Sequence, residues 1–469
     1  MQKQSIAIVG SNISALVSAI SCARQGLPVV LIGSKKHFGG HFGGMVVDDA
    51  RFDVGMLFFE FTSFKSKPGI SISSYQEGRL GDSGRFVSTV RDFVDSLGIK
   101  YHVAESPKMI VEAQLLEDIF ISNRLAALNK LGETTRQAIL EETTGATDHD
   151  ERHPSRKADW PVNEAFNLED ISTHNHGPTF HRTFIEPMCQ KLTGVSSRDL
   201  TAKYHRLSWL PIYYPETLSA QLSNQPQPLP ETRFHYPQGK GFHILPESLK
   251  ATVSSLDIEW VDDEIGSLET RNGGFRLDLS PGREIEVRHL AWTLGPDKLL
   301  ELGRQKGEDN GDYACLGIAF ARIKAAELGF PFSTLYVVDQ NYCMYRISNQ
   351  TVTSGRKDAF NLVTVEFNCE VMEGGRPLEE DEIHGRIVRD LKSLGVIKET
   401  ASSFRATLRK FKKALLLPTI RNFNTYEAKR DRCRELFPGI HLIGSCAPFG
   451  AASLNDQILQ GMSVAARLD

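Results

Sequence analysis

Residues 6–19 read "IAIVGSNISALVSA": an apolar strand runs through a short turn straight into an apolar helix. A short apolar run with no polar alternation is the pattern of a strand covered on both faces, as in a parallel sheet flanked by helices. The turn nearly reads G-x-G-x-x-G but keeps one of the three glycines, with Gly10 in the first glycine position, Asn12 in the second and Ala15 in the third. In such turns the glycines serve a tight bend, close backbone approach to a pyrophosphate, and close helix–strand packing. Gly10 keeps the bend and Ala15 is small enough for the packing. Asn12 puts a side chain where the backbone would meet a phosphate. Asparagine tolerates positive φ, and its amide can donate to a phosphate oxygen. The stretch therefore predicts a dinucleotide crevice at the start of a helix, with Asn12, Ile13 and Ser14 on the helix side.

The next strand, "PVVLIG" at 28–33, should end in an acid that holds ribose hydroxyls. It ends in Gly33, followed by Ser34, Lys35 and Lys36. Ser34 offers a hydroxyl where the carboxylate is missing. The lysine pair reads either as part of a 2′-phosphate site or as an ordinary solvated face.

With 469 residues the chain exceeds what one core usually holds, so two or three domains are expected. A formal net charge of −4 gives no general attraction to nucleic acid or anionic membrane. Seven cysteines without C-x-x-C or paired spacing predict reduced thiols and a cytoplasmic setting. The opening strand is not a signal peptide, and no window has the apolar length of a membrane span.

The stretch "HFGGHFGGMVVDDARFDVGMLFFEF" at 37–61 resembles a segment of the flavoprotein superfamily of amine oxidases, protoporphyrinogen oxidases and UDP-galactopyranose mutases. There a G-G pair follows the second strand, and D-x-G-x-H-x-F comes after it. Gly39 and Gly40 (or Gly43 and Gly44) fit the pair, while Asp53, Gly55 and Phe59 fit the second motif. Near the far end, "FPGIHLIGSCAPFGAASLNDQILQGMSVAARL" at 437–468 resembles the superfamily's final flavin-binding strand and helix, the helix beginning near Asn455. Gly444 matches that pattern, Ser445 replaces the usual acid, and Gly461 stands where the last helix keeps a glycine for close packing. The resemblance implies FAD as cofactor, held by Gly10, Asn12, Ile13, Ser14, Ser34, Gly39, Gly40, His41, Gly55, Gly444, Ser445 and Asn455. It also implies an α/β fold: a Rossmann-like FAD-binding domain of the glutathione-reductase type with an inserted α+β substrate domain. The expected division is 1–70, 231–300 and 425–469 for the nucleotide domain, and 71–230 with 301–424 for the other.

In the middle of the chain, "FHRTFIEPMCQKLTG" at 180–194 has Phe180, Phe184 and Met188 at helical spacing. "EETTGATDHDERHPSRKADWPVNEA" at 141–165 reads as an exposed loop or lid, its histidines 149 and 153 lacking metal spacing. Short strands around "RNGG" and "SPGR" predict a β-meander over 258–296. "STLYVVDQNYCMYRISNQ" at 333–350 resembles a mutase substrate stretch and implies substrate contacts at Tyr345, Arg346 and Asn349. Leu57 stands where the mutases carry a histidine beside the flavin. Arg346 reads either as an anion clamp or as the ion-pair partner of Glu366.

Three functions fit these expectations. One is an FAD-dependent oxidoreductase taking hydride from a small organic substrate, in which the flavin carries the chemistry and no metal or catalytic triad is needed. Another is a UDP-galactopyranose mutase-like flavoprotein acting on a nucleotide sugar, disfavoured by Leu57 and Ser445. The last is a non-catalytic or altered-cofactor member of the fold.

Overall fold

The computed structural model describes residues 5–61, 69–76, 82–144, 161–225, 229, 231–280, 282–307, 311–401, 404–451 and 453–468. The opening strand, Ile6–Val9, lies at the centre of a five-stranded parallel sheet. On one side it pairs with Val29–Ile32 and then Ile258–Val261. On the other it pairs with His289–Trp292 and then His441–Leu442. Ile6, Ala7 and Ile8 are fully buried, as a central strand covered by helices requires. The strands come from four distant parts of the chain, so this sheet closes only when both ends of the chain are in place.

The first helix, Ile13–Arg24, packs along the last helix, Leu454–Ala466. Gly461 makes that contact possible: a Cβ there would lie 2.7 Å from Val17 Cβ and 2.8 Å from the Ser14 carbonyl oxygen. The glycine in the last helix is therefore set by helix–helix distance, as expected.

The predicted meander divides. Its three middle strands, Ile265–Arg271, Gly274–Leu279 and Arg283–Val287, form an antiparallel sheet of their own. Its first and last strands instead join the parallel sheet, where Leu290, Ala291 and Trp292 are buried on both faces. A second large sheet of seven strands contains Lys108–Val111, Gln114–Glu117, Tyr313–Lys324, Thr334–Val337, Arg346–Asn349, Phe360–Asn368 and Ala406–Leu416. Its pairings are antiparallel except for Lys108–Val111 against Thr334–Val337. The helix Glu380–Ser393 buries Ile383, Ile387 and Leu391 in a separate apolar core against this sheet.

The 180–194 segment is helical, running from a π-helical turn at His181–Ile185 into Glu186–Thr193, with Gly194 as its left-handed cap. The start of the expected loop at 141 belongs instead to the helix Glu133–Thr144, and residues 145–160, including the histidines at 149 and 153, lie outside the described residues. All seven cysteines are free. The sequence shows no paired spacing, yet the register Leu316↔Asn368 brings Cys315 beside Cys369, the first residue of the helix Cys369–Glu373, close enough for their thiols to interact. Among the described residues no helix is long and apolar enough to cross a membrane.

A Gly461→Leu substitution forces the first and last helices apart. It should lower stability by about 1–3 kcal/mol, the usual range for overpacking. The expected result is a lower urea midpoint at unchanged slope. An unchanged midpoint would show that the two helices are not held at this distance.

Candidate functional site

Around the opening turn, the glycines are set first by the protein's own atoms. Gly10 adopts φ +121°, and a Cβ on it would run into Thr293 Oγ1. That hydroxyl donates to the Val9 carbonyl at 2.8 Å. Gly33 sits directly over Gly10, whose carbonyl carbon and oxygen would each lie 2.8 Å from a Gly33 Cβ. An acid at position 33 and the Gly10 bend exclude each other sterically, which explains the missing carboxylate. Another acid lies close by. Asp262, at the end of the adjoining strand Ile258–Val261, accepts from the Lys35 amide at 3.2 Å. Sequence reasoning sought an acid only on the second strand. The run Asp262-Asp263-Glu264 directly after a β-strand was the available signal.

Asn12 has partners within the protein. Its side-chain oxygen accepts from the Ala15 amide at 3.0 Å, capping the first helix, and its nitrogen donates to the Thr293 carbonyl at 2.9 Å. The oxygen is committed to the helix cap and one N–H to Thr293, which leaves the second N–H of the amide for another partner. The side chains of Ile13 and Ser14 are fully buried, and Ser14 Oγ donates to the Gln457 carbonyl at 3.0 Å. Only their backbone N–H groups remain at the helix's open end. Ser34 Oγ accepts from the Lys36 and His37 amides and retains its hydroxyl hydrogen for another partner.

The glycine pair lies against this turn: the Gly39 amide donates to the Ser11 carbonyl at 2.6 Å, and a Gly39 Cβ would meet Pro246. Gly40 faces open space. Gly444 is buried, with a would-be Cβ 3.1 Å from Asn12 Nδ2, whereas Ser445 is exposed. Asn455 is buried and donates to the Glu60 carbonyl at 2.9 Å.

Beyond this turn is a cavity of about 540 Å³. His41 and Phe42 line one side, and Ala451, Ser453, Leu454 and Gln457 at the start of the last helix line another. Both segments follow the carboxyl ends of parallel strands, where open α/β sheets place their ligands. Val54, Met56, Leu57 and Phe58 form an apolar wall, and Tyr345, Arg346, Glu366 and Lys413 a polar one. The last helix closes its own N-terminus with a capping box, in which Asp456 accepts from the Ser453 amide and hydroxyl at 2.9 Å. Burial pushes the Asp456 carboxyl up to about 6.

Of the expected substrate contacts, Leu57, Tyr345 and Arg346 reach this cavity and Asn349 does not. Asn349 is fully buried, capping a short helix through the Val352 amide and donating to Asn361. Arg346 resolves to its ion-pair reading. It grips Glu366 with two parallel hydrogen bonds, Nε to Oε1 at 2.7 Å and Nη2 to Oε2 at 2.6 Å, while Tyr345 donates to the same carboxylate at 3.1 Å. Gly55 lies beside this pair, with a would-be Cβ 3.2 Å from Glu366 Oε2.

A second titratable cluster lies within the helices at 168–197. The Tyr213 amide donates to His176 Nε2 at 2.7 Å, which leaves the ring proton on Nδ1, facing Ser172 Oγ at 3.0 Å. The Ser172 hydroxyl then donates to His181 Nδ1 at 3.0 Å, and His181 Nε2 faces Ser197 Oγ, which donates to Glu186. The bond from the Tyr213 amide needs a neutral His176, since its Nε2 accepts. Burial, reinforced by the neighbouring His181 and His205, pushes His176 down to about 3.

A model of the NAD(P)-binding Rossmann-like domain matches residues 8–70. Among curated proteins, none matches the chain by sequence. Solved structures resemble it over nearly its whole length. Reduced UDP-galactopyranose mutase matches with a TM-score of 0.74 at 14% identity, covering 99% of this chain and 95% of the other. A putrescine oxidase variant matches with a TM-score of 0.63 at 12% identity, covering 99% of each chain. Cyclohexylamine oxidase from Brevibacterium oxydans IH-35A matches with a TM-score of 0.58 at 12% identity, over 99% and 98%. The chain therefore has the α/β fold that these proteins share, with the Rossmann-like unit at its start.

Two outcomes are expected. Arg346→Met leaves Glu366 as an unpaired charge in a buried site and should cost about 3–5 kcal/mol in chemical denaturation, most of it recovered by adding Glu366→Leu. A loss well below this would show that the pair is not structural. For His176, the folded value lies below the ordinary 6.5, so between pH 6.5 and about 3 the unfolded chain binds a proton that the folded chain refuses. Stability should fall on acidification across that window, and His176→Gln should flatten the slope by up to one proton. A neutral-imidazole NMR signature for His176 throughout the window checks the same assignment without the variant.

Proposed function

We propose that this chain is an FAD-dependent oxidoreductase acting on a small organic substrate. The observation that carries this reading is the cavity's position between the loop after the second parallel strand and the start of the last helix, with one apolar and one polar wall. A planar, largely apolar ring suits the Val54–Phe58 wall. A diphosphate suits the backbone amides of Ile13 and Ser14 at the helix start. Ser34 and Asp262 supply a hydroxyl and a carboxylate where ribose hydroxyls need partners. The residues therefore fit the group. Bound flavin supplies the hydride acceptor, so the protein's own part is to place the substrate and exclude water.

In that role the apolar wall keeps the site dry, and the Arg346–Glu366–Tyr345 group fixes the opposite wall. Tyr345 is held protonated, because burial and the adjacent Glu366 push its hydroxyl well above the ordinary tyrosine value. Its one proton is given to Glu366, so the hydroxyl braces the wall and does not act as a base.

The mutase-like reading has one observation in its favour: Lys413 joins Arg346 on the polar wall, giving two cations for an anionic substrate. Leu57 counts against it, since the position that resemblance gives to a histidine is filled by an aliphatic side chain. Arg346, already held by Glu366, also has less to offer an anion.

Purified protein should be yellow, with absorbance near about 450 nm released by acid. Asp262→Ala should weaken FAD binding roughly tenfold, as expected for loss of about one hydrogen bond to a charged group. Gly10→Val should abolish it. Protein that is colourless and cannot be reconstituted would favour the altered-cofactor reading. Substrate turnover that leaves pre-reduced flavin unchanged, with no net electron transfer, would favour the mutase-like one.

A further inference from the structure

A second cavity of about 540 Å³ shares no lining residue with the first. It lies between the loop Gly239–Gly241, the start of the helix Ile244–Ser255, and the segment 356–362 that leads into the strand Phe360–Asn368 of the seven-stranded sheet. A smaller cavity of about 260 Å³, which holds Lys36 and His37, adjoins it through Arg51, His243 and Glu247.

Its charge runs against that of the chain. The whole sequence carries −4, yet four cations line this cavity among the described residues: Arg51, Lys240, Arg322 and Arg356. Glu247 neutralises Arg51 at 2.5 Å, and Asp358 lies 3.5 Å from Arg356. Lys240 has no ion-pair partner among the described residues. Arg322 lies over the Phe360 ring at 5.1 Å, and that ring is 38% exposed. Two positive charges thus remain over, beside a flat aromatic and guanidinium surface.

The cavity also holds an unsatisfied group. His243 Nδ1 is buried without a hydrogen-bond partner among the described residues, and a buried polar atom of this kind calls for one. Burial and the facing Arg51, Lys240 and Arg356 keep the ring neutral, while Glu247 acts the other way. Nδ1 is turned against Gly241, so the charge on this wall comes from the lysine and arginines and not from the ring. Gly241 cannot carry a side chain here, because a Cβ would meet Gln350 Nε2 and stand 2.7 Å from His243 Nδ1.

We propose that this cavity is a binding site for an aromatic organic phosphate, with the phosphate held by Lys240 and Arg356 and the flat ring by Phe360 and Arg322. Each part of the ligand answers a feature of the cavity. The phosphate meets the surplus positive charge, and the ring meets the exposed aromatic face. The volume is that of a typical small-molecule site.

The test is isothermal titration of the full chain with AMP, inorganic phosphate and adenosine as probes. AMP should bind at least about tenfold more tightly than either part alone, and more weakly as salt is raised. Lys240→Ala should weaken AMP binding by about tenfold or more, and Phe360→Ala should reduce it to the level of inorganic phosphate. Both side chains are exposed, so neither variant threatens folding, and neither touches the opening turn. Flavin content should be unchanged in both. No AMP binding at millimolar concentration would overturn the proposal. So would AMP binding that both variants leave intact, since the nucleotide would then lie in the crevice at Gly10.

Discussion

Thr293 ties together the carboxyl ends of the parallel strands, and much of the site depends on how it does so. Its amide and hydroxyl both donate to the Val9 carbonyl, while its own carbonyl accepts from Asn12 Nδ2 and from the Ser445 amide. One fully buried residue therefore joins the central strand, the first helix and the segment leading to the last helix. Gly10 must be glycine because the Thr293 hydroxyl fills its Cβ position, and Gly33 must be glycine because Gly10 fills its own. The departures from the usual turn are linked in this way. Once Asn12 binds the Thr293 carbonyl, the turn is braced by the protein itself, and what remains for a phosphate is backbone and one N–H of the Asn12 amide.

Backbone requirements are what made the fold legible in the sequence. A run such as Ile6–Val9 has few solutions other than a strand buried on both faces, and a helix directly after it implies a parallel sheet. Gly461 could be assigned to helix packing because close approach leaves no alternative. Side-chain partners were harder to read. The sequence places an amide at Asn12 but does not show that Thr293, hundreds of residues away, binds it. The same holds for Asp262, whose place beside Lys35 exists only because strand Ile258–Val261 pairs with Val29–Ile32. Asn349 and Arg346 are two positions of different fate on one short strand. Arg346 borders the cavity and Asn349 turns into the protein, a distinction set by neighbouring strands and the short helix that follows.

The polar wall of the main cavity illustrates a general constraint on dry sites. A buried guanidinium and carboxylate are tolerated together because each satisfies the other with two hydrogen bonds, and Tyr345 adds a third to the carboxylate. Such a group holds its shape firmly, but most of its hydrogen-bonding capacity is already used. Specificity in this cavity then falls mainly to shape and to the apolar wall at Val54–Phe58. The cavity beside Lys240 differs in having charge and a donor still uncommitted.

The packing of the first helix on the last also governs the order in which the chain can fold as it is made. Ile13 and Leu454 are 441 positions apart, so the partner of the first helix is synthesised roughly 20–90 s later at ordinary translation rates. Throughout that interval the apolar face bearing Leu16, Val17 and Ile20 lacks its principal cover. Two strands of the parallel sheet, His289–Trp292 and His441–Leu442, also arrive after most of the chain has emerged. The ribosome thus delivers the second sheet's strands before the first sheet can close. The first helix therefore completes its packing only after the last residues have left the ribosome, a delay set by topology alone.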